Sequence, residues 1–101
     1  MDRLFVDTGA WFAYFNALDP DHRAVAALLE EWEGRLVTTD YVFDELVTLV
    51  RYRVGHAEAC VAGEALRDPG VAMFVTVSPE DAARAWVRFR RDGDKEYSFT
   101  D

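Results

Sequence analysis

The sequence predicts an α/β fold: a three-layer α/β/α sandwich with a mainly parallel sheet. Short apolar runs alternate with longer segments whose apolar residues recur at helical spacing. A capping residue such as Asp, Thr or Ser follows most of these runs and marks the change from strand to helix. Strands that alternate with helices pair in parallel, because each helix carries the chain back to the same end of the sheet. The 101 residues suit a single domain, and half of them are apolar, which is enough for a core.

The first strand is predicted over residues 4–6, an unbroken apolar run typical of a strand that is buried on both faces. Thr8 is expected to cap a helix that continues through the apolar segment 10–15. Asp7 lies between them, at the carboxyl end of the strand, where parallel sheets bind their ligands. Asp7 is therefore either a site residue or simply part of the helix cap.

A second helix is predicted from Pro20 to about Trp32, with Asp19 as its cap and His22 exposed in its first turn. A glycine ends this helix. The second strand is expected directly afterwards, at residues 35–39.

A third helix is predicted over residues 41–54, with Asp40 as its cap. Its apolar residues form one broad face: Val42, Phe43, Leu46, Val47, Leu49 and Val50. Glu45 falls at the border of this face, whereas Asp44 falls on the far side. The helical spacing therefore indicates that Glu45, rather than Asp44, is directed at the protein body.

Two more helices and two more strands are predicted in the rest of the chain. A helix rich in small residues is expected over 56–68, and a strand over 71–77. Ser78 starts a further helix, because a capping serine is followed there by a proline and two acids. A fourth strand is expected over 97–100, directly before Asp101.

The last predicted helix carries a stripe of three arginines, Arg84, Arg88 and Arg91, on one of its faces. Such a stripe either attracts phosphate groups or is an ordinary solvated surface. The pattern alone favours the solvated surface.

Composition disfavours several classes of protein. The formal net charge of −8 is unlike that of modules that bind nucleic acid by neutralising its phosphates. A metal ion would have to supply the local positive charge, or the acidic surface would serve a basic protein partner. No apolar run reaches the roughly 18 residues of a membrane span, no secretory signal is visible, and the single cysteine, Cys60, fits a reducing compartment. A cytoplasmic protein without membrane contact is expected.

Three carboxylates from distant parts of the chain are predicted to meet at one edge of the sheet. Asp7 follows the first strand, Glu45 lies in the first turns after the second, and Asp101 follows the fourth. Clustered carboxylates repel one another, and a bound cation offsets this repulsion. Oxygen ligands select Mg²⁺ or Mn²⁺, which can activate water for an attack on phosphorus. The edge is therefore predicted to bind a divalent metal.

Three stretches, at residues 5–11, 38–45 and 97–101, resemble motifs of the PIN-domain family, in particular of VapC-type toxins from toxin–antitoxin pairs. The resemblance implies a PIN-like fold and an endoribonuclease that uses Mg²⁺ or Mn²⁺ to hydrolyse RNA phosphodiester bonds. It also implies a homodimer and a protein antitoxin, and no contact with DNA except through that antitoxin.

The same resemblance implies that Asp7, Glu45 and Asp101 are the catalytic and metal-binding residues. Asp7 and Asp101 would be the closest ligands, Glu45 would help to hold the metal or orient water, and Thr8 would support Asp7 by hydrogen bonding. An aromatic helix contains Trp11, Phe12, Tyr14 and Phe15. It is either a wall of the antitoxin contact or ordinary core.

Family members continue past the third acid, whereas this sequence stops at Asp101. A single PIN-like domain over 1–101, truncated after the third acidic motif, is therefore expected. Activity would suffer more than the fold, because the last acid would be poorly held and this chemistry depends on positioning. The alternative function is a catalytically degenerate PIN-like domain that acts as a protein-interaction module. A phosphatase or phosphoacceptor receiver is disfavoured, because Gly9 occupies the position where a phosphatase needs a second Asp.

Overall fold

The computed structural model describes residues 2–91 of the chain. Within these residues it contains three strands and five helices, in the order β1 (Arg3–Phe5), α1 (Thr8–Phe15), α2 (His22–Glu31), β2 (Arg35–Thr39), α3 (Asp40–Arg53), α4 (His56–Arg67), β3 (Met73–Val75) and α5 (Pro79–Arg91). The strands form one parallel sheet in the order β1-β2-β3. The predicted α/β class with a parallel sheet is confirmed, and the predicted strand 97–100 lies outside the described residues.

Strand β2 is the centre of the described sheet. Phe5 of β1 pairs with Val37, and Val37 pairs with Met73 of β3. A further hydrogen bond, from the amide of Val6 to the carbonyl oxygen of Val37 (3.1 Å), extends the β1–β2 ladder beyond the last residue of β1. The segment that leaves β1 is therefore held beside the end of β2.

Helix α3 forms the middle of the hydrophobic core, as its predicted apolar face requires. Its buried residues are Val42, Leu46 and Val50. Helix α4 packs closely against it, because α4 presents small residues at the contact. A Cβ atom added at Gly63 would already lie 3.3 Å from the side chain of Val47. The pairing of α3 with α4 thus depends on the small-residue surface that the sequence predicts.

An arginine joins α4 to the sheet. The guanidinium carbon of Arg67 lies 4.7 Å from the ring centroid of Phe43 in α3 and 5.5 Å from that of Phe74 in β3. The two rings pack edge to face, with centroids 5.7 Å apart. Both distances from the guanidinium suit a cation–π interaction, so this cluster stabilises the junction of α3, α4 and β3.

The centre of β2 contains one buried polar side chain. Thr38 is fully buried, and its hydroxyl oxygen has no hydrogen-bond partner within the described part of the chain. Its cross-strand partner on β3, Phe74, is aromatic, and Leu36, two residues earlier on β2, is apolar. The Thr38 hydroxyl is therefore a buried polar group with apolar neighbours.

The first and third strands differ from their predictions. Strand β1 is not buried on both faces, since Phe5 is 44% exposed. Among residues 2–91, β1 lies at an edge of the sheet rather than in its centre. Strand β3 covers three residues, fewer than the predicted 71–77, because only these pair with β2.

The start of α2 also differs from its prediction. The helix begins at His22 rather than Pro20, because a side-chain oxygen of Asp19 accepts a hydrogen bond from the amide of Asp21 (2.8 Å) and forms a turn first. His22 is half-buried rather than exposed. Its Nδ1 lies 2.8 Å from the carbonyl oxygen of Ala13, a contact in which the ring donates and which joins α2 to the last turn of α1.

Two helix caps illustrate how the chain leaves the strands. The predicted cap of α3 was Asp40, but Thr39 fills this position, and its hydroxyl accepts a hydrogen bond from the amide of Val42 (3.2 Å). At α5 the prediction is confirmed, since the Ser78 hydroxyl accepts a hydrogen bond from the amide of Asp81 (3.0 Å). No helix in the described residues is long and apolar enough to cross a membrane.

Candidate metal and catalytic site

Asp7 lies just beyond the carboxyl end of β1 and caps α1. Its Oδ1 accepts a hydrogen bond from the amide of Ala10 (2.8 Å), and its carbonyl oxygen accepts one from the amide of Trp11 (3.1 Å). Thr8 is the first residue of the helix, so the prediction that Thr8 is the cap was wrong. The physical reason is that the Asp7 carboxylate is one residue earlier and satisfies an amide that the first helical turn leaves without a partner.

Capping and metal binding by Asp7 are compatible. The capping bond engages Oδ1, and a carboxylate has a second oxygen, Oδ2, that can face a cation. The side chain is exposed, so a ligand can approach it. The bond to the Ala10 amide also restrains the carboxylate group, so the cap orients the acid at the strand end.

Glu45 lies at the same edge of the sheet as Asp7. It is in the second turn of α3, which begins directly after β2, and β2 is the parallel neighbour of β1. Glu45 and Asp44 are both exposed, whereas Leu46 is fully buried. Exposure to solvent therefore does not distinguish Glu45 from Asp44. The two acids differ only in their angular position around the helix axis.

The third predicted acid, Asp101, lies outside the described residues. Within residues 2–91, no group of three or more His, Cys, Asp or Glu side chains is arranged to hold a metal ion. The described chain thus provides two of the three predicted ligands, Asp7 and Glu45. Both are carboxylates, and their oxygen atoms are the donors that Mg²⁺ and Mn²⁺ prefer.

Asp40 is an acid at this edge whose contact sequence reasoning missed. Its Oδ1 accepts a hydrogen bond from the backbone amide of Val77 (3.0 Å), on the segment between β3 and α5. The bond ties the first residue of α3 to the chain that enters α5. No local sequence pattern indicates this contact, because the two partners are 37 residues apart.

A mainly apolar groove of about 330 Å³ adjoins Asp7. Its lining residues are Leu4, Phe5, Val6, Asp7, Ala10, Leu28 and Leu29. Phe5 and Leu28 are 44% and 58% exposed, so the groove presents apolar surface beside the carboxylate. A molecule bound at Asp7 would have a hydrophobic neighbour as well as a charged one.

The aromatic helix α1 is divided between core and surface. Trp11 and Phe12 are buried, whereas Tyr14 and Phe15 are half-buried. The Trp11 ring stacks on that of Phe15 with centroids 5.9 Å apart, and Tyr14 packs edge to face on both rings. Core packing therefore accounts for Trp11 and Phe12, and the other two rings retain some accessible surface.

The fold and the position of the acids define an α/β domain with an acidic edge at the carboxyl ends of its parallel strands. The family model for the PIN domain matches residues 4–101. The chain belongs to the PIN-domain family and is of its VapC type.

Several known proteins are similar to this chain. The 23S rRNA-specific endonuclease VapC20 of Mycobacterium tuberculosis is 35% identical over 98 residues, which cover 97% of this chain and 74% of the relative. Ribonuclease VapC26 of the same organism is 44% identical over 62 residues, which cover 60% of this chain and 46% of the relative. The crystal structure of M. tuberculosis VapC20, described as a toxin that cleaves the sarcin–ricin loop, matches with a TM-score of 0.88 and 32% identity, and covers 98% of this chain and 75% of that one.

Proposed function

We propose that this protein is a divalent-metal-dependent endoribonuclease that hydrolyses RNA phosphodiester bonds. The proposal is carried by the position of Asp7 and Glu45, which follow two neighbouring parallel strands at one edge of the sheet. The names of the similar proteins, an rRNA-specific endonuclease and a ribonuclease, support the same activity.

Asp7, Glu45 and Asp101 would together hold Mg²⁺ or Mn²⁺. When bound, the ion would offset the charge of the RNA phosphate and favour the ionisation of an attacking water. The chain's own contribution is positioning. Asp7 is restrained by its bond to the Ala10 amide, and Glu45 is presented on the well-anchored helix α3.

A structured ribosomal RNA loop is the first substrate to test, because VapC20 is named for 23S rRNA and for the sarcin–ricin loop. The exposed apolar groove beside Asp7 would contact the bases or sugars that flank the scissile bond. We further propose a cytoplasmic homodimer that is controlled by a protein antitoxin. The accessible parts of Tyr14 and Phe15 are candidate contacts for that partner.

The test is cleavage of a sarcin–ricin RNA hairpin in the presence of Mn²⁺ or Mg²⁺. Asp7→Asn and Glu45→Gln should each lose more than the roughly 10–100-fold that is typical of residues that only support a metal ligand. Asparagine is as good a helix cap as aspartate, so Asp7→Asn removes the charge without removing the cap. Asp44→Asn is the matched control: it removes an exposed acid next to Glu45 and should cleave like the wild type. Equal cleavage by all four proteins would refute the assigned site.

A catalytically degenerate PIN-like domain that acts as a protein-interaction module is the second candidate. It is favoured by the formal net charge of −8, because an acidic surface suits a basic protein partner better than it suits RNA. Calorimetric titration of the full chain with Mn²⁺ separates the candidates. Saturable binding that Asp7→Asn abolishes supports the nuclease, whereas no measurable heat leaves the interaction module.

A further inference from the structure

A second cavity, of about 290 Å³, lies at the amino end of the strands, at the opposite edge of the sheet from Asp7 and Glu45. Its walls include Arg35 at the start of β2 and Gly70 and Val71 in the turn that precedes β3. A single water takes up only about 30 Å³ of the liquid. Small-molecule sites begin at about 300 Å³, so the cavity is close to the size of a site for a small ligand.

Two buried indole N–H groups belong to the walls of this cavity. Trp11, which is fully buried, and Trp32 both line it, and Nε1 of each has no hydrogen-bond partner within residues 2–91. A Cβ atom added at Gly34, which also lines the cavity, would lie 2.7 Å from Nε1 of Trp32. An indole nitrogen only donates, and a buried donor without an acceptor is unfavourable. An acceptor oxygen in the cavity would therefore satisfy these donors.

The cavity also has one side chain of each charge. Arg35 and Glu30 both line it, and neither has an ion-pair partner within residues 2–91. Nη2 of Arg35 donates a hydrogen bond to the carbonyl oxygen of Pro69 (2.7 Å), which holds the guanidinium in place. A guanidinium has five N–H donors, so most of them remain for a ligand. The cavity thus offers a cation and an anion that do not pair with each other.

The rest of the wall is mainly apolar. Leu29 is a buried core residue, and Leu36 and Val71 are partly buried and pack against the core. A hydrocarbon group placed against these side chains would be removed from water, which is favourable. The site therefore suits a molecule that combines a carboxylate, a positive charge and an apolar group.

We infer that this cavity binds a free α-amino acid with an apolar side chain. The ligand carboxylate accepts hydrogen bonds from the indole N–H groups of Trp11 and Trp32 and from Arg35. The ligand ammonium contacts the carboxylate of Glu30, and the ligand side chain packs against the apolar wall. The inference does not depend on the proposed ribonuclease function, because the cavity has no residue in common with the candidate metal site.

The test is titration of the full chain with L-leucine, followed by the indole cross-peaks in a ¹H–¹⁵N correlation spectrum. The chain has three tryptophans, so Trp32→Phe and Trp86→Phe assign all three peaks. L-Leucine should shift the peaks of Trp11 and Trp32 to saturation and leave that of Trp86, which does not line the cavity, in place. N-Acetyl-L-leucine lacks the ammonium group and L-leucinamide lacks the carboxylate. Each should bind about tenfold more weakly, as expected for the loss of one charge-assisted contact.

Glu30→Gln should weaken L-leucine binding about tenfold and abolish the preference for L-leucine over its N-acetyl derivative. Glu31→Gln is the matched control, because it neutralises the adjacent exposed acid of α2, which does not line the cavity, and it should bind like the wild type. Indole peaks that L-leucine leaves in place would overturn the inference and indicate a cavity that holds only water. Equal binding of L-leucine and N-acetyl-L-leucine by the wild type would also overturn it and indicate a site for simple carboxylates.

Discussion

Asp40 and Val77 are linked by a hydrogen bond of 3.0 Å between a carboxylate oxygen and a backbone amide that are 37 residues apart. Both groups are partly buried, so water does not fully replace either partner. Asp40→Ala should therefore reduce the free energy of unfolding by about 1–3 kcal/mol, because it leaves the Val77 amide without its acceptor. Urea unfolding followed by circular dichroism measures this change.

The control for that substitution is Asp40→Asn, which keeps an oxygen acceptor and should lose less than half as much. Equal stability of Asp40→Ala and the wild type would show that the bond is unimportant for the fold.

Gly34 lies directly against the backbone of Asp2. A Cβ atom at Gly34 would be 1.9 Å from the carbonyl oxygen of Asp2, which already accepts a hydrogen bond from the amide of Arg35 (2.9 Å). Gly34→Ala should therefore destabilise the protein by about 1–3 kcal/mol, as other overpacked positions do. Gly9→Ala is the comparison: its Cβ would meet only the Asp7 carboxylate, at an ordinary 3.8 Å, so thermal unfolding should show no loss of stability. A similar melting temperature for both variants would contradict the close approach at Gly34.

Leu46 is the most deeply buried leucine of α3 and lies next to the catalytic candidate Glu45. Leu46→Ala should lower the free energy of unfolding by about 2–5 kcal/mol, through lost burial and the cavity that remains. Leu18→Ala, at a position that is 91% exposed, should change it by less than about 0.5 kcal/mol. A small effect at Leu46 would mean that α3 is not the centre of the core.

Hydrogen bonds from Ser78 hold the pKa of Asp81 below its ordinary value of 3.8, and the Arg84 guanidinium contributes to the same shift. Because the pKa is lowered in the folded protein, this contribution to stability is present above pH 3.8 and is lost as the pH falls through the folded pKa. Ser78→Ala should raise the pKa of Asp81 toward 3.8, as measured by NMR titration of its carboxyl carbon. Ser78→Thr keeps the hydroxyl and should preserve the low value, and an unchanged pKa in Ser78→Ala would refute the assigned cause.

The elements that the sequence predicts well are those with unambiguous periodicity. The apolar face of α3 and the strand at residues 35–39 agree with the structure, because burial on one side imposes a regular pattern. Position within a capping pair is harder to predict. Thr and Asp both cap helices, so neither Asp7–Thr8 nor Thr39–Asp40 shows from sequence which member takes the role.

Contacts between distant elements account for the remaining differences. The ring of His22 is half-buried because it reaches the end of α1, and no local pattern around His22 indicates that partner. Of the candidate site, the sequence correctly puts Asp7 and Glu45 at strand-to-helix junctions. The meeting of both with Asp101 stays a prediction, because it depends on a residue outside the described part of the chain.

The buried hydroxyl of Thr38 indicates a position at which a substitution should increase the free energy of unfolding. Within residues 2–91 this hydroxyl has no hydrogen-bond partner, so no protein hydrogen bond compensates for its removal from water on folding. Valine has the same shape without that atom, and Thr38→Val should raise the free energy of unfolding by about 1–2 kcal/mol in urea titrations. The substitution should thus stabilise the centre of the sheet without changing the acids at its carboxyl edge or their ligands.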